Sequence, residues 1–169
     1  MHPSTSERLD LARLEASDSD LVAGLFVRLS PHSLYRRFFR PAMRLEDFTS
    51  AILKSDEFDR KGLAAFVDGE IVGVAQYSRR LGSATAEIAI TVADEWQRRG
   101  VGGRLITALA SQAATKGIEA FAVSIQLDNR GAMRLLWREA PEVRLVLVGG
   151  GVGEAIIPLQ ALGRASFTQ

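Results

Sequence analysis

The sequence predicts an α/β (α+β) protein in which a mixed sheet of about seven strands carries packed helices. Three observations point there. Helical spacing of apolar residues between Leu21 and Lys54 gives way to short apolar runs and clean alternation between Leu63 and Val92. A glycine-rich turn then opens the clearest helix of the chain, around Leu105 to Ala113. Strand-like and helix-like segments alternate from there onward.

Residues Arg8 to Leu14 alternate loosely and read as a first strand. Ser17 and Asp18 offer a cap ahead of Leu21, Val22, Leu25, Phe26 and Leu29, and Pro31 interrupts that run. Helices over Ser33 to Phe39 and Leu45 to Lys54 follow, the latter from Leu45, Phe48, Ile52 and Leu53 recurring at three and four residues. Leu63 to Val67 and Ile71 to Tyr77 form a hairpin across Asp68-Gly69-Glu70. In the next strand, Ala84 to Val92, Ile88, Ile90 and Val92 share one face while Glu87, Ala89 and Thr91 share the other. The long helix presents Leu105, Ile106, Leu109, Ala110 and Ala113 as one stripe, with Gly117 just past its end. Glu119 to Ile125 reads as a buried strand, and Asp128-Asn129 caps a helix ending near Arg138, before Pro141. Two strands, Val143 to Val148 and Glu154 to Leu159, flank Gly149-Gly150-Gly151-Val152-Gly153.

With 169 residues and 47% hydrophobic content, residues 1–169 make one domain, its first seven residues expected to fray. Lysine plus arginine number 21 and aspartate plus glutamate 20, so the net charge of +1 gives no global attraction to nucleic acid or an anionic membrane. The absence of cysteine excludes disulfides, thiolate metal sites and a cysteine nucleophile. Only His2 and His32 remain for an imidazole site, so no metal is expected. Uncharged stretches fall well short of the roughly 20 residues of a membrane span. The opening residues carry no apolar signal core, and the default address is the cytoplasm.

The informative segment runs from Val92 to Leu105, joining a strand end to a helix start through Gly100, Gly102 and Gly103 with Arg98, Arg99 and Arg104 around them. Main-chain N–H groups at a helix start suit an anion, and the arginines add mobile positive charge. The dinucleotide fingerprint fails in its glycine spacing, and no Gly-Lys-Ser/Thr completes a nucleotide-triphosphate loop. Gln97-x-x-Gly100-x-Gly102 does resemble the signature with which the GNAT superfamily of N-acetyltransferases holds the pyrophosphate of coenzyme A. The resemblance covers nearly the whole chain, and its specific part runs from Glu87 to Trp137.

That resemblance implies the GNAT fold, a mostly antiparallel sheet, with acetyl-CoA as co-substrate. The backbone of Thr91 and Val92 should pair with the pantetheine arm as an added half-strand. Gln97 and the amides of Arg98, Arg99, Gly100, Val101, Gly102, Gly103 and Arg104 should hold the pyrophosphate. Asn129 either contacts the cofactor or only caps its helix. Leu29-Ser30-Pro31-His32-Ser33-Leu34-Tyr35-Arg36-Arg37-Phe38-Phe39 is similar to a segment before the acceptor cleft of bacterial protein-lysine acetyltransferases.

Chemically, a lysine amine with a pKa of about 10.4 is neutral in only about one molecule in 10³ at pH 7. A base is needed more than an acid, because a thiol leaving group with a pKa of about 8.5 departs readily as thiolate. Glu87 is the candidate base, since Ala89 and Thr91 on its face leave room for a ligand. The alternative is a strand-edge carboxylate paired with an arginine. Many relatives carry a tyrosine acid on the helix after the asparagine; here that place is read as Trp137, whose indole has no useful acidity. Tyr35 and Tyr77 are the other tyrosines of the chain.

The sequence therefore implies acetyl transfer to a primary amine by direct attack, with no covalent enzyme intermediate. A protein lysine is the favoured acceptor, ahead of a polyamine, amino acid or aminoglycoside. A non-catalytic acyl-CoA-binding module and a nucleotide-binding protein are the rivals. Oligomeric state is not legible, although two-fold dimers are the commonest assemblies.

Overall fold

The computed structural model describes residues 7–54 and 59–162; of the seven residues expected to fray, the first six lie outside the described residues, and Glu7 accepts a hydrogen bond from Arg99. Strand β1 (Asp10–Arg13) is followed by a 3-10 turn (Ala16–Asp18) and helices α1 (Ser19–Val27), α2 (Pro31–Phe38) and α3 (Leu45–Leu53). Strands β2 (Asp59–Val67), β3 (Glu70–Arg79) and β4 (Thr85–Val92) lead into α4 (Val101–Ala114). Then come β5 (Ala120–Gln126), α5 (Arg130–Glu139), β6 (Val146–Gly149) and β7 (Val152–Pro158). Among the described residues these strands form one seven-stranded sheet in the order β1-β2-β3-β4-β5-β7-β6, antiparallel except for β4 beside β5.

Local chemistry explains the boundaries, including those that differ from expectation. The 3-10 turn starts at a capping box, in which Glu15 N–H donates to the Asp18 carboxylate at 2.8 Å, and Asp18 then stands at the N-cap of α1, where its side chain makes no cap bond. Pro31 does not merely interrupt α1; it is the first residue of α2, and the Ser30 hydroxyl accepts from Ser33 N–H at 3.1 Å. Asp68 and Gly69, both left-handed, make the tight β2–β3 turn. Strand β2 begins at Asp59, four residues before its apolar run, because the polar residues 59–62 still pair with residues 76–79 of β3. Strand β6 begins at Val146 instead of Val143, and all four of its residues are exposed at the sheet edge.

Two apolar layers sandwich the sheet. Leu105, Leu109 and Ala113 of α4 are fully buried against Ala75, Ala86 and Phe121 on one face. Val22, Leu25, Phe48 and Ile52 of α1 and α3 cover Ala64, Ile71 and Val74 on the other. Gly73 lets the start of α4 lie directly on β3: a side chain there would meet Val101 Cγ1 at 3.0 Å and Leu105 Cδ1 at 3.1 Å. The first turn of α4 is thereby held at the end of β4.

Strands β4 and β5 share a ladder only at Thr85–Ala120, Ala86–Phe121 and Glu87–Ala122. Beyond Glu87 they part. Five further residues of β4 and four of β5 run on without each other, leaving a wedge in the middle of the sheet.

Candidate active site

The open edge of β4 can be assigned residue by residue. Ala93 N–H donates to Val72 O at 2.9 Å, so the alternation of an antiparallel ladder turns the main-chain groups of Thr91, Ala89 and Glu87 to β3. Those of Val92, Ile90 and Ile88 face the wedge. Of the two residues expected to pair with an extended ligand, Val92 thus offers its backbone to the wedge, whereas Thr91 has its backbone in the β3 ladder. Ile90, not singled out from the sequence, shares the row with Val92.

At the mouth of the wedge the chain makes a 3-10 turn (Asp94–Trp96) and then curls into α4. Arg98 and Gly100 are both left-handed, at φ 60° and 82°, an alternation that gathers successive N–H groups into a concave nest. The first helical bond of α4 is Arg104 N–H to Gly100 O at 3.2 Å. The six amides from Arg98 to Gly103 have no acceptor among the described residues. An array of free donors at the positive end of a 14-residue helix is a ready anion site.

The arginine side chains divide. Arg98 lines the cleft. Arg99 instead donates to the Glu7 carboxylate at 2.8 Å and stacks 3.9 Å over Trp96, and Arg104 donates to Leu9 O at 3.1 Å. Three mobile charges around the turn were expected; the segment leading into β1 engages two of them. Gln97 faces backward as well. Its Nε2 donates to Val92 O at 3.1 Å and lies 3.4 Å from Ser33 Oγ, which itself donates to Asp94 Oδ1 at 2.8 Å. Ser30 N–H reaches the same carboxylate oxygen at 3.3 Å. Ser30, Ser33, Asp94 and Gln97 therefore tie the start of α2 to the end of β4.

A cleft of about 1640 Å³ runs through the wedge, larger than the roughly 300–1,000 Å³ of an ordinary small-ligand pocket. Glu87 stands exposed in its wall at the last shared rung of β4 and β5, with no cation paired to it among the described residues. The arginine-paired alternative for this residue is therefore absent there. Asn129 caps α5, accepting from Ala132 N–H at 3.1 Å, and also lines the cleft. A second carboxylate, Glu154 on β7, lines the same cleft and lies 3.5 Å from Ser124 Oγ. No sequence signal marks it, because only the β5–β7 pairing brings it there.

The acid position needs correction. Seven residues after Asn129 the pattern falls on Leu136, not on Trp137, and Leu136 is 5% exposed in the core. Trp137 is 51% exposed and outside the cleft lining. Tyr35 is exposed too. Tyr77 does line the cleft, but burial first, and then the Asp59 charge, raise its pKa above the ordinary 10, partly offset by Arg79.

The wall opposite Glu87 is basic. Helix α2 contributes Arg36, whose Nη2 donates to Asp128 O at 3.2 Å across the open strand ends, and Arg37, whose guanidinium stacks 4.4 Å from the Phe38 ring centre. The Nε atoms of both are buried without a partner. Burial lowers the Arg37 pKa well below the ordinary guanidinium value, to about 10.

A model of the acetyltransferase (GNAT) family matches residues 29–138. The chain belongs to that family. It is 30% identical over 116 residues to acetyltransferase Pat of Mycolicibacterium smegmatis, covering 66% of this chain and 34% of Pat. This chain therefore spans about a third of that relative's length. The fold is similar to that of the GNAT domain of S. lividans PAT, with a TM-score of 0.77 at 22% identity over 94% of this chain and 99% of that one. It also resembles PaiA N-acetyltransferase of Thermoplasma acidophilum in complex with coenzyme A, at TM-score 0.66 and 12% identity over 89% and 99%. Among the described residues no group of three or more His, Cys, Asp or Glu gathers as a metal site, and no helix is long and apolar enough to cross a membrane.

Proposed function

We propose that this GNAT enzyme transfers an acetyl group from acetyl-CoA to a primary amine, favourably a protein lysine, with Glu87 as general base. The observation that carries the reading is the wedge: free amides from Arg98 to Gly103 lie at its mouth and a carboxylate stands at its apex. A diphosphate fits the amides, and the open groups of Ile90 together with the N–H of Val92, whose carbonyl is held by Gln97, suit an extended amide-bearing arm lying beside β4. Arg98 and Asn129 flank that path.

Glu87 takes a proton from the ammonium, directly or through one water, leaving a lone pair on nitrogen. The amine then attacks the thioester carbonyl; a C–N bond forms, the C–S bond breaks, the thiolate leaves, and the surplus proton on nitrogen passes through solvent to the thiolate. The products are the N-acetyl amine and free thiol. Leu136 cannot donate a proton to sulfur, and a thiolate leaving group does not require one.

A protein acceptor is supported by the breadth of the cleft and by one further likeness. At TM-score 0.71 and 17% identity the fold resembles RimL, named as a ribosomal L7/L12 α-N-protein acetyltransferase. Free-thiol release from acetyl-CoA across lysine peptides, polyamines, amino acids and aminoglycosides tests the reading. Release with amines is the expected result. Coenzyme A binding by calorimetry with no release from any acceptor would leave a binding module instead.

A further inference from the structure

Resting on that reading, we infer that the acceptor lysine is flanked by a carboxylate, and that Arg37 of α2 is the residue that receives it. The acceptor face of the sheet carries a row that crosses three strands: Arg60 pairs with Ser78, and Ser78 with Glu87. Helix α2 packs above this face, and Arg37, Arg60, Ser78 and Glu87 all line the cleft. The two ends of the row are two strand spacings apart, about 10 Å between backbones. One residue of a bound peptide can thus place its amine at Glu87 while a neighbour reaches the arginine end.

The guanidinium of Arg37 is the unusual feature. It has no carboxylate, carbonyl or other hydrogen-bond acceptor among the described residues, its Nε is buried, and it stacks on the Phe38 ring. Buried charge is normally paired, since desolvating it alone is costly. A guanidinium held beside a substrate cleft with its donors unspent suits a planar carboxylate, which it can bind through two parallel hydrogen bonds. Arg36, with its own unpaired Nε, keeps the same wall positive. A polycation would meet that wall with repulsion, and a lysine among basic neighbours would do the same.

The test compares two lysine peptides identical except for Glu or Gln on either side of the lysine, with acetyl-CoA and thiol release as the readout. The Glu peptide should show about a tenfold higher kcat/KM, carried by KM, as one charge-assisted contact supplies. That ratio should fall toward one in Arg37→Gln, and toward one in the unaltered enzyme as salt is raised to about 1 M, where screening length drops to about 3 Å. The salt series requires no variant, so a poorly folding Arg37→Gln does not weaken the test. Free lysine against cadaverine asks whether an α-carboxylate serves equally: release from free lysine alone, with both peptides silent, keeps the carboxylate and makes an amino acid its source. Equal kcat/KM for the two peptides, or a ratio unmoved by salt, overturns the inference and leaves the transferase reading standing. Absence of release from every acceptor overturns both.

Discussion

The two walls of the cleft are built from different materials. On the proposed coenzyme side the useful groups belong to the main chain: amides from Arg98 to Gly103 and the open edge of β4 at Ile90 and the Val92 N–H. On the acceptor side they are side chains, Arg37 from α2, Glu87 from β4 and Glu154 from β7, brought together from over a hundred residues of chain. A backbone-made wall depends on local conformation and tolerates most side-chain changes. A side-chain-made wall can be re-specified residue by residue while the coenzyme wall stays as it is.

The largest effect should come from Glu87→Gln. Turnover at pH 7 is expected to fall by about 10²–10⁴-fold, the usual weight of a general base, with coenzyme A affinity within a few-fold by calorimetry. The deficit should narrow toward pH 9, because the neutral fraction of a lysine with a pKa of about 10.4 rises some tenfold per pH unit and removes the need for the base. Turnover at pH 7 equal to that of the unaltered enzyme would take Glu87 out of the mechanism.

Next comes Gly100→Val. A β-branched residue resists the left-handed φ of 82° that curls the amide nest, so coenzyme A affinity should drop about tenfold while the fold survives. Retained affinity would mean that the anion is held by side chains after all.

Arg37→Met should act oppositely on stability and specificity. Removing a buried unpaired cation is expected to raise stability by about 1 kcal/mol in denaturant titration. With the folded pKa lowered by burial to about 10, below its value in the unfolded chain, the arginine penalises folding wherever it is charged in both states. The gap between the two proteins should therefore be fully present below pH 10 and shrink above it. A destabilised variant would show that Arg37 is held by contacts favourable enough to outweigh its burial.

Smallest are Arg99→Gln and Arg104→Gln. Because those side chains are engaged with Glu7 and Leu9, coenzyme A affinity should change by no more than about threefold, within the range of an exposed ion pair. A tenfold loss from either would show that these arginines leave the segment before β1 when the coenzyme binds.

Much of the coenzyme wall was legible in the chain itself, for a physical reason. Gly100 and Gly102, spaced after Gln97 and between a strand and a helix, encode a backbone shape, and local sequence determines local backbone. Alternation in Ala84 to Val92 likewise placed Glu87, Ala89 and Thr91 on one face, and the sheet keeps them there. Less was legible where a residue's partner is distant. Gln97 turns to Val92 and Ser33, and Arg99 and Arg104 to Glu7 and Leu9, although their positions in the motif pointed all three at the ligand. Counting along α5 also mattered: Leu136, not Trp137, occupies the place of the family tyrosine.

By itself, then, the sequence determined the element order, the glycine turn with its unspent amides and the face on which Glu87 stands, because each is set by residues within a few positions of one another. Only the tertiary structure decided that β4 and β5 part after Glu87, that Glu154 shares the cleft and that the Arg37 Nε is buried without a hydrogen-bond partner. Those features arise from strand pairing and helix packing across long stretches of chain, and such contacts leave no periodic trace in the order of the residues.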